Sequence, residues 1–271
     1  MSAEENVRAG RLEQALADLQ SEIRKRPGDG KLRVFLFQLL AVTGQRERAF
    51  DQLKMAAELD PGALAMKQTY ERALAAEKVR DDVFAGRASP TLFGKPAEWM
   101  ALLLQAVKLV AEGQFEAAAR LREQAFEAAP TTAGKINGED FAWIADADSR
   151  LGPMLEAVIN GRYNWIPFMR LKKVVIEKPV DLRDLAWTGA QVTFANGGQT
   201  IALIPTRYPG SEAAPDARII MARTTEWVDR DGDTHIGLGQ RLLATDQGEF
   251  PLMDVREIEL AGIEDEAAAT A

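Results

Sequence analysis

The sequence predicts an α+β protein: a helical half over residues 1–160, a small, mostly antiparallel β-barrel or sandwich over 161–260, and a disordered tail over 261–271. Three observations carry that expectation. A pattern of glycine, alanine and proline repeats through the first half. Short apolar runs bounded by Gly, Pro, Asn and Asp fill the second. Between them, residues 160–187 (NGRYNWIPFMRLKKVVIEKPVDLRDLAW) hold Tyr163, Trp165, Phe168 and Trp187. That stretch is too apolar for a flexible linker and suits a clamp between two halves.

The repeat comes first. Gly10, Ala15 and Pro27 recur 34 positions later as Gly44, Ala49 and Pro61, and again, 69 further on, as Gly113, Ala118 and Pro130. Glycine lets the chain reverse between two antiparallel helices where φ turns positive. Alanine lets the paired helices approach, and proline ends the second helix because it cannot continue one. A unit of this length and phasing resembles the tetratricopeptide repeat. Lys78, Val83 and Lys95 stand where a further trio is due, so 79–93 reads as a degenerate repeat or an inserted elbow.

Residues 31–43 and 98–112 are helical and apolar around most of their circumference, so each is buried on more than one side. The repeat phase makes them first helices of their units. Their inner faces, Val34, Gln38 and Val42, then Met100, Leu103 and Val107, are expected to line a concave groove. Such a stripe fits an amphipathic helix from a partner; the competing reading is that a neighbouring helix or the β half covers it. Beyond it, TTAGKINGED reads as turn, tightest at Asn137-Gly138. Residues 151–159 read as one last helix, with Gly161 as the left-handed residue that closes it.

From Ile166 the pattern is β. Residues 174–176, 191–194, 200–204, 242–244 and 255–260 are short strand-like runs, with hairpin signals at Asn196-Gly197 and Asp246-Gln247-Gly248. Residues 217–222 fit helix or strand.

Composition limits the chemistry. There is no cysteine, hence no disulfide, thiolate metal site or cysteine nucleophile. With 33 basic and 41 acidic residues the net charge is −8, which argues against nucleic acid or an anionic membrane as partner. The N-terminus has no apolar signal core and no run of about 18 apolar residues occurs. The expectation is a soluble, cytoplasmic protein.

No catalytic set assembles from the sequence. The single histidine, His235, has no serine or acid placed to complete a triad and reads as a surface or strand residue. Asp229, Asp231 and Asp233 have calcium-loop spacing, but Thr234 and Gln240 occupy the positions that need glycine and glutamate. DRDGD therefore reads as a solvated hairpin tip. Glu139, Asp140, Asp146 and Asp148 form an acidic group with no histidine to join them, so no metal or cofactor is expected. Arg183 with Asp184, and Arg223, Arg241 and Arg256, sit in apolar surroundings. Together with Arg162, Tyr163, Trp165, Trp187 and Trp227 they read as junction and ion-pair residues. The alternative is a small-ligand or enzyme site at Tyr163, Trp165, Arg183 and Asp184.

The C-terminal motifs are distinctive. GRYNWIPF, LRDLAW, PTRYPGS, ARTTEW, GLGQR and PLMDVREIE, in that order, with DADSRLGPMLE at the junction, resemble the ImpE/SciE (TagJ) family of type VI secretion accessory proteins. The resemblance implies binding rather than catalysis, and no cofactor. It implies contact with the N-terminal helix of the small contractile-sheath subunit, and a link to the AAA+ ATPase that disassembles contracted sheaths. It assigns no contact residues.

Overall fold

The computed structural model describes residues 2–262; the expected tail lies, from 263 on, outside the described residues. The chain runs through α1 (Ala3–Arg8), α2 (Leu12–Lys25), α3 (Gly30–Val42), α4 (Arg46–Leu59), α5 (Leu64–Phe84), β1 (Thr91–Leu92), α6 (Glu98–Ala111) and α7 (Phe115–Ala128). The glycine–alanine–proline trio does the mechanical work its spacing implies. Gly10, Gly44 and Gly113 have φ of 74°, 70° and 75°. In each turn the following N–H bonds back to a carbonyl five residues earlier: Arg11 to Asn6, Gln45 to Leu40, Gln114 to Leu109. This six-to-one closure ties off the first helix with a glycine in the left-handed region. Ala15, Ala49 and Ala118 are fully buried. Pro27, Pro61 and Pro130 each follow the C-cap of α2, α4 or α7.

α5 closes in the same way, with Gly86 at φ 71° and Arg87 N–H bonded to Asp82 O at 2.8 Å. No antiparallel helix follows it. The segment read as an elbow is the end of α5 and a connection to β1, which joins the sheet beside β6.

The remaining elements are β2 (Gly134–Ile136), β3 (Glu139–Phe141), β4 (Ile144–Asp146), β5 (Met154–Ile159), β6 (Arg162–Pro167), β7 (Leu171–Ile176), β8 (Trp187–Phe194), β9 (Gln199–Pro205), α8 (Ala217–Ile220), β10 (Thr225–Arg230), β11 (Thr234–Gly239), β12 (Leu242–Thr245), β13 (Gly248–Pro251) and β14 (Glu257–Leu260). One sheet has the order β1-β6-β5-β9-β8-β7-β14-β2-β3, a second β13-β12-β4, and β10–β11 form a ribbon. Only the β1–β6 pairing is parallel among the described strands. The β core gathers Ile136, Ile166, Val174, Val192 and Ile258 from the large sheet and Ile144 and Leu243 from the small one.

Apart from β1, the strands begin at Gly134 rather than at Ile166. Residues 151–159, expected as a helix, form β5 and its approach. Asn160 (φ 51°) and Gly161 (φ 78°) are the two-residue loop of a β5–β6 hairpin, not a helix end. Paired left-handed residues match the right-handed twist of the flanking strands, which is why Asn-Gly favours such turns. Both faces of β5 are buried, so its run shows no alternation to betray a strand. Asn137-Gly138 turns another hairpin, β2–β3, and residues 217–220 make one helical turn, α8.

Candidate functional site

The six expected groove residues do not line one continuous trough, although Val107 borders a separate hollow beside the end of α5. Gln38 and Val42 are buried at the contact between α3 and the β half. Gln38 Oε1 accepts the Leu182 N–H at 3.1 Å, and the Val42 carbonyl accepts Arg207 Nη1 at 2.7 Å. Val34, a turn earlier on α3, is half-buried. Met100, Leu103 and Val107 pack with Val83, Leu151, Met154 and Trp165. The inner wall is filled by the molecule itself, because the sheet occupies the hollow of the helical stack.

At the centre of that seam lies a buried charge network. Glu156, the one charged residue of β5, is fully buried. Its Oε1 accepts Arg80 Nε at 2.7 Å and the Tyr163 hydroxyl; its Oε2 accepts Arg80 Nη2 at 3.1 Å and Arg241 Nη2. Arg80 comes from α5 and Arg241 from the β11–β12 connection, so one carboxylate joins the two halves. Arg80 also donates to the Arg207 carbonyl at 2.8 Å, and Trp165 Nε1 donates to the Tyr163 hydroxyl at 2.7 Å. Arg241 completes its fork on Asp146 and on the Pro205 carbonyl, 2.9 Å away. Beside it Asp148 holds Arg150 in a two-bond pair at 2.8 and 2.6 Å.

The electrostatics follow from the partners. Burial alone would raise the Glu156 carboxyl, but Arg80 and Arg241 outweigh it and hold it down at about 2. Asp146 shares Arg241 and has Asp148 as a neighbour; burial carries it up to about 6. Burial lowers Arg207 to about 10, its Nη1 bonds going to the backbone carbonyls of Val42 and Ile220.

The other singled-out residues divide. Trp187 is buried and donates Nε1 to Glu77 at 2.9 Å. Arg183 is half-buried, pairs with Asp181 rather than Asp184, and lies 4.9 Å from the Tyr70 ring centre. Asp184 instead accepts the Val180 and Asp181 N–H groups, both at 2.8 Å. Trp227 tilts against Tyr208 at 5.7 Å. Arg162 is exposed, as is Arg223, which donates to the Val7 carbonyl at 3.5 Å. Tyr163–Trp165 and Arg183–Asp184 thus belong to different clusters and frame no common pocket. The cavity between them, lined by Glu77, Arg80, Trp187 and Arg207, measures about 20 Å³, room for water. His235 lies exposed on β11 beside Asp229. The charged side chains of the DRDGD tip are exposed, while its backbone is held: Arg122 of α7 donates to the Gly232 and Asp233 carbonyls at 2.8 and 3.0 Å. No three metal-ligating side chains are grouped among the described residues.

The sequence reading missed Arg80 and Glu156. For Glu156 the signal was present, a lone charge in MLEAVI; Arg80 stands in the charged run EKVRDD, which marks no one residue as buried.

An open feature adjoins the small cavity lined by Glu77 and Arg80, sharing Gly44 and Arg46 with it. Between the start of α4 and the second half of α5 runs a groove of about 750 Å³. Phe50, Leu74 and Ala75 give it an apolar floor, with Arg46, Glu47 and Arg48 on the α4 wall and Glu71 and Lys78 on the α5 wall.

A helical stack bolted to an antiparallel sheet through these pairs, with residues 138–259 matching the ImpE protein family, defines the class: the chain belongs to the ImpE family. It is 52% identical over 259 residues to the type VI secretion system accessory component TagJ of Pseudomonas aeruginosa, covering 96% of this chain and 91% of that one. The crystal structure of a Vibrio parahaemolyticus protein superimposes with a TM-score of 0.87 over 98% of this chain and 99% of the other. At 23% identity that likeness shows the fold alone. No described helix is long and apolar enough to cross a membrane.

Proposed function

We propose that the protein is a non-enzymatic accessory component of a type VI secretion system, acting in the cytoplasm. In this reading it binds the N-terminal helix of the small contractile-sheath subunit. Through that contact it is linked to the AAA+ ATPase that takes contracted sheaths apart. The kinship with TagJ supports the accessory role. The observation that carries the binding mode is the α4–α5 groove, an open channel with an apolar floor and charged walls. An amphipathic helix lays its apolar face into such a channel and keeps its polar face in water.

Calorimetric titration of the full chain with a synthetic peptide of the sheath subunit's N-terminal helix tests the proposal. Saturable binding with one site per chain is the expected result. A flat titration overturns it.

A further inference from the structure

We infer that the α4–α5 groove is the vacant second-helix position of the α5 unit, and that the partner helix fills it antiparallel to α5, completing a helical hairpin in trans. This rests on the binding role proposed above and adds where the helix lies and which way it runs.

The chain itself states the rule that α5 breaks. In α1–α2, α3–α4 and α6–α7, a first helix ends on a left-handed glycine and a second helix folds back along it. α5 ends on the same turn at Gly86, yet the chain leaves toward β1. The face a second helix would cover is therefore bare. Val79 is 42% exposed on it, and Ala75 is exposed as well. The neighbouring second helix, α4, forms one wall of the seat. Toward the C-terminal end of α5 a further hollow of about 360 Å³ opens between Val83, Gly86, Leu104 and Lys108, bringing α6 in as the other wall.

Size and charge both specify the occupant. From Glu71 to Gly86 the seat spans about 22 Å at 1.5 Å per residue. The second helices α2, α4 and α7 are each 14 residues long, which is the same length. Arg48 and Lys78 face the groove from opposite walls, and neither has a carboxylate partner among the described residues. Of the other charges that line the groove, Arg46 is paired with Asp81 and Glu212, and Glu71 with Lys67. That leaves Arg48 and Lys78 against the single carboxylate of Glu47, and the excess of positive charge calls for acidic residues beside the partner's apolar stripe. Asp82, in the last turn of α5, stands where the partner's N-terminus arrives in the antiparallel orientation. Its Oδ1 accepts Arg87 Nε at 2.8 Å and Nη2 at 2.6 Å, and Arg87→Cys frees that carboxylate for the positive end of a helix.

The chain has no cysteine, so a single introduced thiol labels one place. Arg87→Cys and Gln68→Cys mark the two ends of the seat at exposed positions. The probe is the sheath subunit's N-terminal peptide carrying a nitroxide at its first residue, with the protein spin-labelled at either cysteine. Electron–electron distances are expected to be short to position 87 and longer to position 68 by about the length of the seat. The reverse order overturns the orientation. Ala75→Trp, which fills the floor, is expected to weaken the peptide about tenfold or more. If the peptide binds this variant as tightly as the parent, the seat is overturned while the accessory role stands. If the peptide does not bind the parent chain, the accessory role falls with it.

Discussion

The helical stack has two flanks, and they treat charge in opposite ways. Toward the sheet, Arg80, Arg241, Glu156 and Asp146 are buried and matched. Toward the α4–α5 groove, Arg48 and Lys78 are exposed and have no carboxylate partner among the described residues, beside an apolar floor where Ala75 is exposed and Phe50 half-buried. The difference follows from desolvation. Burying an ion costs several kcal/mol and is tolerable only where a partner of fixed geometry is always present. The sheet is always present, being part of the same chain. A surface that must be vacated and refilled cannot depend on buried charge, so its ions stay solvated and its apolar floor supplies the affinity. The first flank is built for permanence and the second for exchange.

The sharpest way to break this contrast is to cut the permanent seam. Glu156→Ala leaves Arg80 and Arg241 buried without their shared carboxylate and should destabilise the fold by about 3–5 kcal/mol, read from the urea midpoint. A loss below about 1 kcal/mol would mean that packing alone holds the halves together. The pH profile tests the same seam without mutation. Glu156 is held at about 2 against an ordinary 4.5, so its contribution is complete above pH 4.5 and is lost as pH falls from there toward 2. That shift corresponds to about 3 kcal/mol. Asp146 has the opposite sign: raised from 3.8 to about 6, its ionisation opposes folding, and that cost is full above pH 6 and gone below 3.8. Urea melts at pH 7, 5 and 3 should show a gain before the acid loss, and Asp146→Asn should remove the gain only.

Much of this was legible in the sequence, and the reasons are specific. The trio spacing located the turns of three hairpins, because only glycine sits easily at φ near 70° and only proline stops a helix outright. Arg241 stood out as a charge in apolar surroundings. Its partners did not, since Asp146 and Glu156 lie far from it in the chain and meet it only through the fold. β5 was misread because a strand buried on both faces has no alternation, and its hairpin loop was taken for a helix cap that also uses glycine. The inner stripe was expected to line a groove for a partner's helix, and much of it packs against the chain's own sheet and helices. Sequence periodicity identifies an apolar face, but whether the cover belongs to the same chain is settled by tertiary packing.

Two glycine substitutions compare a turn that touches the seam with one that does not. A Cβ added at Gly113 meets nothing within 4 Å, so Gly113→Ala costs only the left-handed backbone, about 1 kcal/mol. At Gly44 the same atom would stand 2.6 Å from Cγ of Glu212, which bonds Arg46 at 3.3 Å. Gly44→Ala should therefore cost about 2 kcal/mol, the surplus being the displaced ion pair. Equal thermal melts for the two variants would show that Glu212 swings aside freely and that the seam ends before it reaches this turn.

The smallest effect on stability belongs to the groove, where the contrast is most informative. Lys78→Glu alters an exposed side chain with no ion-pair partner among the described residues, so its melt should stay within about 0.5 kcal/mol of the parent. Binding of an acidic-flanked helix should nevertheless weaken, because attraction across the wall becomes repulsion. The loss should shrink as salt is raised, since a surface charge is screened beyond about 10 Å at 0.1 M. Ala75→Trp blocks the apolar floor instead, so its loss should be nearly independent of salt. A salt-dependent loss from the first and a salt-independent loss from the second would separate wall from floor. If both variants lost affinity in parallel with stability, the groove would be part of the permanent architecture, and the division between the two flanks would fail.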